Sequence, residues 1–189
     1  MPISINGSGT VTGLAVGGLP DGIVDTDMIA ANAVTAPKRG AGAILQTVNG
    51  TVSSQVERTS SGFTDTGLTA NITTTGSNKV LIFVCQALEA RQYNSTGFAQ
   101  GKLALIRTTS GSSSNVFLGT NKSIVVSGPG SGDYFVASGC IASIVAEDSP
   151  SAGTHTYKTQ IEVSARSGTA IRSGSESHPA EIILMEVAA

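Results

Sequence analysis

Thr154–Ala165 runs THTYKTQIEVSA, and this stretch decides the fold. Thr156, Lys158, Gln160, Glu162 and Ser164 alternate with Tyr157, Thr159, Ile161, Val163 and Ala165. A period of two puts one set in water and the other against a core, as in a half-buried β-strand. On either side the chain repeats short runs rich in Val, Ile and Thr, divided by Gly, Ser, Asn and Pro. The candidate runs are Ile44–Val48, Val52–Arg58, Phe63–Leu68, Lys79–Leu88, Gln100–Arg107, Asn115–Leu118, Ser123–Val126, Asp133–Ala146, Thr154–Ala165, Thr169–Arg172 and Ala180–Val187. With some merging, they predict about nine strands and an all-β protein, a single antiparallel β-sandwich.

Two runs break the alternation. Lys79–Leu88 (KVLIFVCQAL) and Ala180–Val187 (AEIILMEV) are apolar on both faces over much of their length, the mark of strands covered on both sides. The opposite sheet covers one side only, so the second side predicts an oligomer in which one sheet packs at the symmetry axis. The alternative is a pair of central strands in an ordinary sandwich with a flat outer face.

Composition agrees with strands and turns. Of 189 residues, 40% are hydrophobic and only 13% charged, while Gly, Ser and Thr together exceed a third. Surface polarity therefore rests on hydroxyls, and the scarcity of Lys, Glu and Leu argues against helices. The length suits one domain with an appendage.

Residues 1–45 are that appendage: dense in Gly and Ala, with isolated Val, Leu and Ile and no aromatic residue. Leu19-Pro20-Asp21-Gly22 is a turn signal. Thr26–Val34 predicts one short helix, capped by Asp25 or Thr26 and stopped by Pro37; the rest is expected to be extended. Ordering such a segment costs roughly 1–2 kcal/mol of backbone entropy per residue. The arm is therefore expected to be pinned on a neighbouring subunit or a partner through Leu14, Val16, Leu19, Ile23, Met28, Ile29 and Val34, or else folded on its own domain. The expected organisation is an arm over 1–45 and a sandwich knob over 46–189. Two Gly/Ser-rich segments, Thr108–Asn115 and Ser127–Asp133, are expected as exposed loop tips, with Ser112, Ser113, Asn115, Gly130 and Ser131 as the candidates for contact.

Charge and motif exclude much. Net charge is −2 and the longest basic run is Lys38-Arg39, which gives nucleic acid no electrostatic footprint. The longest apolar run, Val80–Cys85, is far short of the roughly 20 residues of a membrane span. The start MPISINGSG lacks a basic region and an apolar stretch, so synthesis in a cytosol is expected. Asn6, Asn49, Asn71, Asn94 and Asn121 each open an Asn-x-Ser/Thr tripeptide, which chance explains in so Ser/Thr-rich a chain. Cys85 and Cys140, within apolar runs, are expected to be buried thiols.

No catalytic residue, metal ligand set or cofactor site is encoded. There is no nucleophile elbow and no phosphate loop, and Gly128–Gly132 precedes a strand rather than a helix. His155 and His178 have no local metal-ligand spacing, and Cys85 and Cys140 form no Cys-x-x-Cys pair. Glu147 and Asp148 are expected to end a strand and solvate a turn, His155 to sit on the wet face at a strand start, and His178-Pro179 to precede the last strand. Tyr93, Tyr134, Tyr157 and Phe98 are expected at the core edge or as one small patch.

Gly17–Thr35 (GGLPDGIVDTDMIAANAVT) with Gly42–Gln46 (GAILQ), followed by Phe63–Leu68 (FTDTGL), Ser77–Ile82 (SNKVLI), Asp148–Pro150, Thr154–Gln160 (THTYKTQ) and Ile182–Ala188 (IILMEVA), resembles virion surface proteins of tailed bacteriophages. These include short tail-fibre-like and capsid decoration proteins, especially of marine phages, and the similarity spans nearly the whole chain. The resemblance implies a homotrimer of jelly-roll-like sandwiches on the outer surface of the virion, mounted through the N-terminal segment and made in the bacterial cytoplasm. No heptad or fixed repeat supplies a fibre shaft, so the expectation is a capsid decoration (cement) protein whose partner is the major capsid protein. The alternative is a short tail fibre or receptor-binding protein, attached to a tail or adaptor protein and touching a host surface receptor through its Gly/Ser loops. A polysaccharide-cleaving enzyme would need two carboxylates across a groove, and Glu147, Asp148, Glu162 and Glu176 show no such pattern.

Overall fold

The computed structural model describes residues 29, 33–35, 38–92, 98–127, 135–163, 169–173 and 179–189. Backbone alone is described at 91–92, 98–100, 118–127, 135–140 and 169. Contacts divide the chain into Met1–Arg39 and Gly40–Ala189, so the division falls before residue 45. Of the Thr26–Val34 segment, only Ile29, Ala33 and Val34 are described. No α-helix occurs among the described residues.

The second unit is a two-sheet antiparallel β-sandwich, as the alternation requires. Its strands are β1 (Ile44–Val52), β2 (Val56–Arg58), β3 (Thr64–Thr74), β4 (Lys79–Gln92), β5 (Phe98–Thr109), β6 (Ser112–Ser127), β7 (Phe135–Asp148), β8 (Gly153–Val163), β9 (Thr169–Ser173) and β10 (Ala180–Val187). The larger sheet has the order β1-β10-β4-β9-β2, with β7 also paired to β4; the smaller has the order β3-β8-β5-β6. β4 organises the larger sheet. Lys79–Cys85 pairs with β10, Leu88–Gln92 pairs with β9, and the opposite edge pairs with β7 along most of its length.

Three local expectations change. Val52–Arg58 is not one strand: Val52 closes β1 and Val56–Arg58 forms β2. Asn115–Leu118 and Ser123–Val126 merge into β6. The loop expected over Thr108–Asn115 is a two-residue hairpin turn, because Ser110 and Gly111 both take positive φ (49° and 83°), the geometry that matches strand twist. Thr109 then pairs with Ser112 and Thr108 with Ser113. Ser112, Ser113 and Asn115 are therefore exposed strand residues of β6 rather than loop residues.

The core lies between the sheets. β3 gives Leu68, Ala70 and Ile72; β4 gives Val80, Ile82, Val84 and Leu88; β8 gives Tyr157, Ile161 and Val163; β10 gives Ala180, Ile182 and Leu184. His155 belongs with them. It is 1% exposed, not on the wet face, because it shares parity with Tyr157 two residues later. The core also holds Thr66 and Thr159, whose hydroxyls bond each other at 2.5 Å where β3 bulges against β8.

The sheets approach closely where Gly50 of β1 meets Thr69 of β3. A Cβ at Gly50 would lie 2.0 Å from the Thr69 carbonyl oxygen and 3.1 Å from Ile182 Cγ2, and a backbone oxygen cannot swing aside. Gly50→Ala is therefore expected to lower unfolding free energy by at least about 2 kcal/mol, in the upper part of the usual range for overpacking. Gly40→Ala, which meets open space, is expected to stay within about 0.5 kcal/mol of the parent. Urea unfolding followed by circular dichroism reads both, and equal midpoints for the two variants would refute the close approach.

Candidate functional site

The two sheets present opposite chemistry to the outside. Across the smaller sheet, Asp65 accepts from Lys158 Nζ at 2.8 Å and Gln160 Nε2 at 2.6 Å, Lys102 pairs with Glu162 at 3.1 Å, and Thr156 donates to Asn71 at 2.7 Å. These cross-strand polar pairs make a solvated surface. Burial tends to raise the Asp65 carboxyl, but the Lys158 and Gln160 hydrogen bonds and the Lys158 charge outweigh it and hold the group below its ordinary value.

The larger sheet is largely apolar outside over β10, β4 and β7, while β1 at its edge turns Thr47, Asn49 and Thr51 outward. Register places the outward residues in rows. One row is Thr47, Met185, Leu81 and Glu147; the next is Asn49, Ile183, Phe83 and Val145; then come Thr51, Glu181, Cys85 and Ser143; and Ala87 lies opposite Ile141. Val145 is 74% exposed, Ile141 69% and Phe83 39%. Polar groups bound the patch: the Lys79–Glu147 ion pair (2.7 Å) at one end and the Arg172–Glu57 pair toward the other. A contiguous apolar area rimmed by polar groups marks an interaction surface. Cys85 lies in it and is exposed, correcting the expectation of a buried thiol: it shares parity with Phe83 and points away from the core. The Cys140 side chain lies outside the described residues.

The patch is not flat. Cys85 and Ser143 are cross-strand neighbours and both are small, whereas Phe83, Val145 and Ile183 stand up beside them. The result is a depression of about 140 Å³ walled by these five residues and Glu181.

The titratable groups of the interior are occupied with holding the sandwich together. Asp148, at the end of β7, accepts from Arg107 Nη1 of β5 at 2.6 Å and from the Tyr157 hydroxyl of β8 at 2.9 Å, tying the two sheets. Burial pushes the Tyr157 phenol well above its ordinary range, and the Asp148 charge and hydrogen bond push the same way. Asp148 thus does more than solvate a turn. His155 Nε2 donates to the Ser151 carbonyl at 2.8 Å, and Nδ1 lies 2.7 Å from the Thr109 hydroxyl, so both ring nitrogens are engaged. No group of three metal-ligating side chains occurs among the described residues.

Glu186 is 1% exposed and accepts four hydrogen bonds: from Gln46 Nε2 (2.5 Å), Asn78 Nδ2 (2.7 Å), the Thr75 amide (2.8 Å) and the Thr75 hydroxyl (3.3 Å). Burial alone would raise its carboxyl, but these donors outweigh burial and hold it below the usual range.

Of the arm residues singled out from sequence, Leu14, Val16, Leu19, Ile23 and Met28 lie outside the described residues; Ile29 and Val34 are exposed. Gly130 and Ser131 also lie outside. The residues that sequence reasoning missed are Ile141 and Val145. Their signal was present, since Ile141–Asp148 (IASIVAED) is apolar at both parities, but which parity faces outward needs the pairing with β4.

No protein-family model matches the chain, and no curated protein matches it.

A carboxyl depressed in the folded state contributes stability that is fully present above its unfolded value, about 4.3 for Glu, and is lost as pH falls through the folded value. The urea midpoint is expected to hold between pH 7 and 5 and to fall below about pH 4. Glu186→Gln, which sets an amide donor among donors, is expected to cost about 2 kcal/mol at pH 7 and to give a shallower acid decline. Parallel acid limbs in parent and variant would exclude Glu186 as the group responsible.

Proposed function

We propose that the chain is a structural protein of a tailed bacteriophage particle: a homotrimeric capsid decoration protein that clamps the capsid surface through its N-terminal arm and projects the sandwich as a knob. The observation that carries this reading is the division of the knob into one solvated sheet and one outward apolar sheet. An assembling shell component needs a surface for its own kind and a surface for water, and needs no reaction centre. The resemblance to virion surface proteins, distributed over arm and sandwich, supports the same reading.

Avidity supplies the mechanism. Three arms that reach neighbouring capsomers are joined by one rigid knob, so after the first arm binds, the others bind at the high effective concentration of a short tether. Capsomers linked this way resist separating independently under internal pressure. The N-terminal arm thus makes the contact with the major capsid protein, and the sandwich makes the joint.

The described hairpin tip favours decoration over receptor binding. Ser110, Gly111, Ser112, Ser113 and Ser114 are all exposed, and none is aromatic. A receptor-binding tip relies on aromatic and Arg anchors at its centre. In the alternative, a tail or adaptor protein would hold the arm, and the knob would meet a host receptor.

Copies per particle decide between the two. Mass spectrometry of purified virions is expected to give hundreds of copies in fixed ratio to the major capsid protein. Tens of copies or fewer would move the protein to the tail or to one vertex and overturn the decoration role.

A further inference from the structure

We propose that Glu186 is an acid-opened latch at the root of the N-terminal arm: its charged carboxylate clasps Gln46 and holds the start of β1, and taking up a proton loosens that root while the sandwich stays folded. The inference goes beyond the proposed function and holds whether the arm meets a capsid or a tail.

The arm joins the knob beside the end of β10. The Gly42 amide donates to the Ala188 carbonyl and the Ala188 amide to the Ala43 carbonyl, both at 2.9 Å. Just after them the register of β1 on β10 shifts: Ile44 faces Val187 and Gln46 faces Glu186, with Leu45 extra between them. Such a bulge bends its strand and re-aims side chains. Ile44 is left 54% exposed, whereas Gln46 Nε2 reaches two acceptors, Glu186 Oε2 at 2.5 Å and the Thr73 carbonyl at 2.6 Å. The side chain that anchors the start of β1 thus ends on the Glu186 carboxylate.

Charge makes that carboxylate a clasp. Oε1 accepts from the Thr75 amide, the Thr75 hydroxyl and Asn78 Nδ2, and Oε2 from Gln46. A protonated carboxyl carries an O–H donor and less acceptor capacity, which suits a ring of donors badly. Oε2, with one of these donors against three on Oε1, takes the proton at the smaller loss, and that loss falls on Gln46.

The ionisable groups of the elements around Glu186 are occupied elsewhere. β1 and the turn over Thr75–Asn78 carry none. On β4, Lys79 pairs with Glu147 on the outward face at 2.7 Å; on β10, Glu181 accepts from Asn49; on β3, Asp65 accepts from Lys158 and Gln160 at the far end of the strand. His155 bonds Thr109 and Ser151, and Asp148 bonds Arg107 and Tyr157. The carboxylate of Ala189 belongs to a residue whose amide donates to Asn78 Oδ1 at 3.3 Å. Neutral donors therefore hold the Glu186 charge, and they keep its carboxyl below the ordinary value. The clasp is whole above the unfolded value of about 4.3 and is lost as pH falls through the folded one.

The test is hydrogen–deuterium exchange of the full-length protein, read by mass spectrometry and corrected for the intrinsic rate at each pH. In the parent, exchange over residues 40–46 is expected to hold from pH 7 to 5 and to rise about tenfold by pH 3.5 while β5 and β8 stay unchanged, the mark of local opening. Gln46→Glu sets a second carboxylate against the first, and two such neighbours resist ionising together. Its root is expected to be open at pH 7 and to close toward pH 5, the reverse slope. Glu186→Gln is expected to leave the root open at pH 7 with no step below pH 5. A parent root that stays flat to pH 3.5 overturns the latch, as does exchange that rises equally in β5 and β8, since the whole sandwich is then unfolding. A Gln46→Glu profile matching the parent's overturns it too, whether or not Glu186→Gln folds.

Discussion

The hydrogen bonding of β4 along both edges is the constraint on which the rest of the sandwich depends. One edge is shared end to end by β10 and β9, and the other belongs to β7, so three strands take their register from one. A slip of one residue would turn Val80, Ile82, Val84, Gln86, Leu88 and Ala90 outward and bring Lys79, Phe83, Cys85 and Glu89 into the core. The buried parity of β4 fixes the interior. The other parity, through the same pairing, fixes which residues of β7 and β10 stand beside Phe83. Core and outward face are thus two readings of a single register.

Much of this was legible in the chain. The alternation in Thr154–Ala165 gave β8 and its buried face, and the two-sided apolar runs Lys79–Leu88 and Ala180–Val187 pointed to strands with something to cover on either side. Side-chain parity was less legible where a residue type runs against its position. His155 carries the dry parity of Tyr157, yet an imidazole at a strand start suggests water; only Thr109 and the Ser151 carbonyl, distant in sequence or around a turn, explain its burial. Cys85 misleads in the opposite sense, since a thiol in an apolar run suggests a core and its outward direction follows from register alone. The Ser-rich Ser112–Asn115 segment resembled a loop because its composition is that of loops. Pairing with β5 across the Ser110–Gly111 turn overrides that composition.

Buried polar groups were the least legible part. Glu186 sits in AEIILMEV with the parity of Ile182 and Leu184, where a carboxylate runs against the pattern of a core strand. Its donors come from β1 and from the turn between β3 and β4, 140 and about 110 positions away in the chain. Asp148 likewise gathers Arg107 and Tyr157 from two other strands. Both acids join elements that the hydrophobic core alone would hold only by contact, and both specify position because a misplaced partner leaves a buried charge unsatisfied. Sequence periodicity has no access to such long-range matches.

The pairing of β1 with β10 has a consequence for the order of events during synthesis. β1 ends at Val52, and the strand that completes its hydrogen bonds begins at Ala180. Ribosomes add about 5–20 residues each second, so the first strand waits on the order of ten seconds for its neighbour. During that interval one edge of the first half of β4 is also unfilled, because β10 is its partner there. The larger sheet therefore closes late and from its last strand, and a nascent chain carries the VLIFVC run of β4 for most of its synthesis with that edge open to any other strand that arrives first.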